Sequence, residues 1–246
     1  ASLRAALLLK TGLASQQAAI AVQPVRLDAH TLFNPYINYT YYLSLALLPM
    51  SLQLIVMIST IYVLGKMLKD RRGAFLYRLS GGNVWNAYWG KILPYTALFS
   101  VIVVYMLNYM FFELEIPLNG NYFVVLAITI MLVLVYQLMA LFFVTISKDF
   151  RTLATIAGGY SALSFSFVGY TFPSEGMPKW VQIMDYIFPF TSYSRMYIDV
   201  AMRGDPLKYS LLLLIGLGVF AAIGLLSLPK FGRILQKGGY HVQSFD

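Results

Sequence analysis

The sequence has no cysteine and only two histidines, His30 and His241. Disulfides and thiolate metal sites are therefore excluded, and a histidine-based metal or acid–base pair would require those two residues to meet. Charge is scarce as well: Asp, Glu, Lys and Arg make up 11% of the 246 residues, against about 25% in soluble domains. No phosphate-cradling loop is present, because Gly90-Lys91 is followed by Ile92 and preceded, where the motif needs glycine, by Trp85. Gly216, Gly218 and Gly224 follow no strand-like segment, so they read as helix-packing positions and not as a dinucleotide loop. Asn38-Tyr39-Thr40 fits a glycosylation sequon, but it abuts an apolar run.

What is abundant is apolar surface. Hydrophobic residues form 59% of the chain, and the mean hydropathy is +0.68. Five stretches hold no Asp, Glu, Lys, Arg or His: 41–65, 92–112, 122–147, 152–173 and 209–229. Each reaches the roughly 20 residues with which a helix crosses the hydrocarbon while satisfying its own backbone. The expected fold is an all-α membrane protein with five transmembrane helices. Ion-coupled carriers and intramembrane enzymes place ionisable groups at membrane depth, and these runs have none. Their Tyr, Ser and Thr residues and Gln137 suit an amphipathic or lipidic cargo moved by energy from elsewhere, and serve equally as glue between helices.

The cations fix an expected orientation. The connector 66–91, the turn at Lys148, Asp149 and Arg151, and the tail 230–246 together carry 11 Lys or Arg against three acids, whereas the opposite side has seven of each. By the positive-inside rule the first group is cytoplasmic. The N-terminal end then lies outside, the C-terminus inside, and the two histidines on opposite sides. Lipid topology accounts for the charge, so nucleic acid is not an expected partner. Residues 1–40, which begin without Met and carry Arg4 and Lys10 within their first apolar piece, read as the end of a larger extracytoplasmic segment. The transmembrane domain follows over 41–229, and 230–246 is a cytoplasmic tail.

Two connections are patterned. In the connector, Phe75, Leu76 and Leu79 mark one side of a short helix, with Arg72 and Arg78 on its other flank and Arg71 just before it. Gly81-Gly82 ends that helix, Asn83 caps the next, and Trp85, Tyr88 and Trp89 form an interfacial collar. This cytoplasmic helix reads either as a lipid-surface element or as a lever for a soluble partner. On the outside, 173–208 reads as a helical hairpin. Ser174 caps a helix whose Trp180, Ile183, Met184 and Ile187 share a face, Pro189 breaks it, and a second helix from Ser192 carries Arg195, Asp199 and Arg203 at i, i+4 spacing. Its apolar face is expected to dip into the outer membrane boundary. Within 152–173, Ala154, Gly158, Ala162 and Ser166 recur every four residues, a stripe that lets a second helix approach, from the same chain or from another copy.

Several blocks together resemble the ABC type-2 exporter permeases of bacteria: LFNPYINYTYYL from Leu32, GKILPY from Gly90, GYTFPSEGMPKWVQIMDYIFPFT from Gly169, and YSRMYIDVAMRG from Tyr193. The similarity covers about residues 30–230. It implies a non-enzymatic inner-membrane subunit that binds no cofactor itself. ATP and Mg would be handled by ATP-binding cassette partners, and a second permease copy or paralogue, often with a periplasmic adaptor, would complete the assembly. Family members have six spans, the first preceding a large extracytoplasmic domain, so one span and most of that domain are expected to be missing from this sequence. Their connector often has an acidic residue and a Gly-Thr pair, where this chain has Gly73-Ala74 and no Glu. The reading from another class is a membrane scaffold or assembly factor that docks a soluble protein without transport.

Overall fold

The computed structural model describes residues 39–147, 149–168, 176 and 178–238; the expectations placed on residues 1–38, Ser174, His30 and His241 lie outside them. Most of the described residues are helical, with no strand among them. The first helix, α1, runs Tyr39–Lys69 and tolerates Pro49, as membrane helices do where neighbours satisfy the freed carbonyl. A short helix α2 follows at Gly73–Leu79, and α3 at Val84–Asn108 continues into a π-turn at Tyr109–Glu113. Asn121 caps α4, Tyr122–Ile146, by accepting from the amides of Phe123 and Val124. Asp149 caps α5, Phe150–Phe167, accepting from the amide and hydroxyl of Thr152 at 2.7 Å each. Those two donors favour the ionised carboxyl and hold its pKa below the usual carboxylate value.

Two shorter helices, α6 at Lys179–Asp185 and α7 at Pro189–Tyr197 with its π extension Ile198–Arg203, precede α8 at Leu211–Leu226 and α9 at Leu228–Gln236.

Among the described residues, four helical stretches are long and apolar enough to cross a membrane: 43–69, 84–113, 122–146 and 207–236, the last taking in both α8 and the amphipathic α9. The remaining expected span, 152–173, is represented by the 18-residue α5, which carries Arg151 and many Ser, Thr and Gly residues and falls short of that class. The connector is also shorter than 66–91, because its first four residues complete α1 and its last eight open α3.

The hub is α4, which packs against α1, α3, α7, α8 and α9, while α5 lies on α1. Leu132, Val133, Tyr136, Ala140, Leu141 and Val144 of α4 are all buried in the one continuous core. Polar side chains inside it pair across helices, which is favoured because lipid offers no alternative partner. Thr96 donates to Gln137 Oε1 at 2.8 Å, and the Gln53 amide donates to the Ser161 carbonyl and Ser164 Oγ at 3.4 Å. Where α8 crosses α4, a Cβ on Gly224 would lie 2.6 Å from the Leu138 carbonyl oxygen, so only glycine permits that approach.

Candidate functional site

The chain leaves α1 through Asp70, whose carboxylate pairs with Lys66 at 3.3 Å, and through Arg71 in the left-handed region at φ 56°. After α2 it turns sharply: Ser80 Oγ donates to the Tyr77 carbonyl, and Gly81 and Gly82 both have positive φ. Asn83 Oδ1 then accepts from the Trp85 amide at 2.9 Å to start α3. These turns leave only short connections between α2 and the two long helices.

A second element grips it. Residues 228–236, which the sequence assigns to the end of a span and a tail, form an amphipathic helix whose Leu228, Phe231, Gly232 and Leu235 are buried. This α9 packs on α2 and on the start of α3. The Gly73 amide donates to the Gly238 carbonyl at 3.3 Å, and Gln236 Nε2 donates to Tyr77 Oη at 2.9 Å. A Cβ on Gly232 would lie 2.4 Å from Val84 Cγ2. Phe231 meets Tyr88 edge to face, with ring centroids 6.5 Å apart. Tyr88 is therefore fully buried and leaves the expected collar to the exposed Trp85 and half-buried Trp89.

The expected apolar side of α2 divides. Leu76 packs on the core, whereas Phe75 and Leu79 are 68% and 73% exposed. Arg71, Arg72 and Arg78 are exposed around them and have no ion-pair partner among the described residues. The outcome is an apolar knob ringed by guanidinium groups on a clasped, two-helix platform. Sequence reasoning missed α9. Its signal was the i, i+3, i+7 repeat of Leu228, Phe231 and Leu235, hidden because the helix continues directly from an apolar run.

At the other end of the spans the hairpin differs from its expected form. Its second helix starts at Pro189, three residues before Ser192, because Phe188 is extended and proline suits the first helical turn. Its first helix has Pro178 at the cap position without a side-chain cap. Only α6 presents an open apolar face, with Trp180, Ile183, Met184 and Ile187 all exposed; α7 is buried against α4 and α8. Arg203 pairs with Asp199 at 2.9 Å, but Arg195 turns to the buried Asp185 at 2.5 Å and stacks over the Tyr186 ring. Thr191 donates to the Asp185 carboxylate as well, so the hairpin corner is closed by three side chains. Burial is the larger influence on Asp185 and raises its pKa, and the Thr191 and Arg195 contacts only partly oppose it.

The small-residue stripe faces outward. Ala154, Ala162 and Ser166 are exposed and Gly158 is half-buried, with nothing within 4 Å of the place its Cβ would take. The face of α5 that packs on α1 is instead Leu153, Ala157, Ser161 and Ser164. Among the described residues, no helix of the same chain packs on the stripe. Between α1 and α3 a cleft of about 330 Å³ opens, with Leu52, Phe99 and Met106 as its floor and Leu48, Ile55 and Ile102 on its sides. Among the described residues no group of acids or histidines could hold a metal ion.

A polytopic helical membrane protein with a braced connector helix at one end of its spans and a packed helical hairpin at the other is the class these features define. Residues 1–226 match the family model for ABC-2 family transporter proteins, and the chain belongs to that family as a membrane permease component. Comparison with curated proteins and with solved structures found no match.

Proposed function

We propose that this chain is the transmembrane subunit of an ATP-driven exporter, moving an amphipathic, drug-like or lipid-linked cargo outward by alternating access. The carrying observation is the platform: Phe75 and Leu79 exposed side by side, ringed by Arg71, Arg72 and Arg78, on a helix clamped between the ends of α1, α3 and α9. An apolar knob with a cationic rim suits an acidic, grooved protein surface, and the clamp turns displacement of that knob into displacement of helices. The partner would be a separate ATP-binding cassette subunit, which binds ATP and Mg and does the hydrolysis; this chain is not an enzyme.

In this reading the platform is cytoplasmic, in the bacterial inner membrane, and the hairpin of α6 and α7 sits at the outer exit. The helix α5 is a fifth span, less apolar because its stripe meets a second permease copy or paralogue instead of lipid. The carbon-lined cleft between α1 and α3 and the absence of Asp, Glu, Lys, Arg and His from the runs 41–65, 92–112, 122–147, 152–173 and 209–229 support a greasy cargo. A periplasmic adaptor would contact the outer side.

The test is co-purification with the ATPase. Wild-type chain should retain the partner and stimulate its hydrolysis, and reversing Arg71, Arg72 and Arg78 to Glu should abolish both without preventing membrane insertion. A reversed variant that still binds and transports would remove the platform from coupling, and a wild-type chain that binds a partner without transport would establish the scaffold reading.

A further inference from the structure

The helix α9 has two faces of opposite chemistry. Leu228, Phe231 and Leu235 are buried at i, i+3, i+7. Lys230, Arg233 and Lys237 repeat the same spacing two residues on, and at about 100° per residue this places them on the side opposite the buried one. All three cations are exposed, the helix has no acidic residue, and none of the three has an ion-pair partner among the described residues. Two acids of the turns at this end of the spans are engaged elsewhere, Asp70 by Lys66 and Asp149 by the start of α5.

We infer that this stripe is a binding site for anionic phospholipid headgroups in the leaflet at the connector end of the spans. Position favours lipid over a soluble protein. Lys230 lies four residues beyond the last residue of α8, a helical rise of about 6 Å. The headgroup layer is about 5–8 Å thick on each side of the hydrocarbon, so Lys230 falls within it. Arg233 and Lys237 follow about 4.5 and 10 Å farther from the hydrocarbon, and their long side chains reach back toward the headgroups while their stems cover apolar surface. Three cations on one exposed face, unopposed and beside a bilayer surface, are the complement of phosphate diesters. The platform's knob of Phe75 and Leu79 belongs to the other helix of the clasp, so lipid and the proposed ATPase would occupy different surfaces.

The clasp gives this site a consequence. The lipid-facing helix is joined to the connector at Gly73–Gly238 and Tyr77–Gln236, so a headgroup that holds α9 at the membrane surface also fixes the height of α2. That consequence rests on the permease reading; the binding itself does not.

The experiment is lipid selectivity of the purified full chain in bilayers, read from the immobilised fraction of spin-labelled phosphatidylglycerol against spin-labelled phosphatidylcholine. Wild type should prefer phosphatidylglycerol at least fivefold, and 1 M salt should erase the preference. K230Q/R233Q/K237Q, which leaves the buried face intact, should bring the ratio close to one. K230R/R233K/K237R, which keeps the charges, should retain it, and R71Q/R72Q/R78Q should retain most of it. Equal selectivity in wild type and the neutralised triple variant overturns the site, and loss confined to the connector variant reassigns it to α2. Because no ATPase is present, either result leaves the permease reading standing.

Discussion

Gln236 donates its side-chain amide to the phenol oxygen of Tyr77 at 2.9 Å, across a separation of 159 residues. This bond joins the helix after the last span to the connector between the first two. The connector is therefore packed by α3 and α9 and tied to the end of α1 by a tight turn, and its position depends on both ends of the chain's membrane region.

The tightest point of that clasp is open to a direct test. Gly232→Ala places a methyl group 2.4 Å from Val84 Cγ2, and Val84 is β-branched with little rotamer freedom to retreat. The variant should lose about 1–3 kcal/mol of stability, seen as a lower thermal midpoint in detergent. Adding Val84→Ala should restore most of the loss, since it removes the obstructing methyl groups. A double variant no more stable than Gly232→Ala would show that the helices are not held apart at this contact.

The outward stripe on α5 predicts a different pattern. A Cβ at Gly158 has no described residue within 4 Å, so Gly158→Leu should change the thermal stability of the isolated subunit by less than about 0.5 kcal/mol. Association between copies should fall, because the added side chain blocks close helix approach. Single cysteines at Ala154 or Ala162 should form disulfides between copies. If copies associate without such crosslinks, the contact lies on another face.

At the hairpin corner, burial of Asp185 raises its pKa and Arg195 opposes the rise. Arg195→Gln should raise that pKa further, detectable as a protonated-carboxyl infrared band persisting to higher pH. The sign for stability follows from proton binding. Between the unfolded and folded values the native state holds the extra proton, so stability falls as pH rises through that window. In the variant the window widens upward. Its deficit, about 2 kcal/mol above the window, should shrink as the medium is acidified below the shifted value. A deficit independent of pH would mean that the arginine acts through packing alone.

Much of the architecture is legible in the sequence, because the signals are local. A charge-free run of 20 or more residues has few alternatives to a helix in lipid, and Asn83 and the pair Gly81-Gly82 mark boundaries by chemistry confined to three or four residues. The run at 152–173 was harder to place. Absence of charge does not distinguish a span from a helix rich in Ser, Thr and Gly, and Arg151 at its foot lowers its mean hydropathy.

The site was less legible, because it depends on partners remote in sequence. Spacing offers Arg195 a carboxylate four residues on, at Asp199, yet it pairs with Asp185, ten residues back. The chain reverses between α6 and α7, bringing Asp185 against α7, and there the buried acid needs a counter-charge more than the partly exposed Asp199, which Arg203 already serves. Tyr88 likewise has the composition of a membrane-surface aromatic, and Phe231, 143 positions later, is what covers it.

By itself, then, the sequence determined the solvent, the helical class and some of the places where helices begin and end, since each of these follows from short-range hydropathy and backbone hydrogen bonding. Only the tertiary structure decided that the residues after the last span grip the connector, that Phe75 and Leu79 stay exposed while Leu76 does not, and that the small-residue stripe faces away from its own bundle. Those outcomes depend on which helix faces remain after α4 has been surrounded, and a helix's periodicity gives its faces without saying which neighbour takes each one.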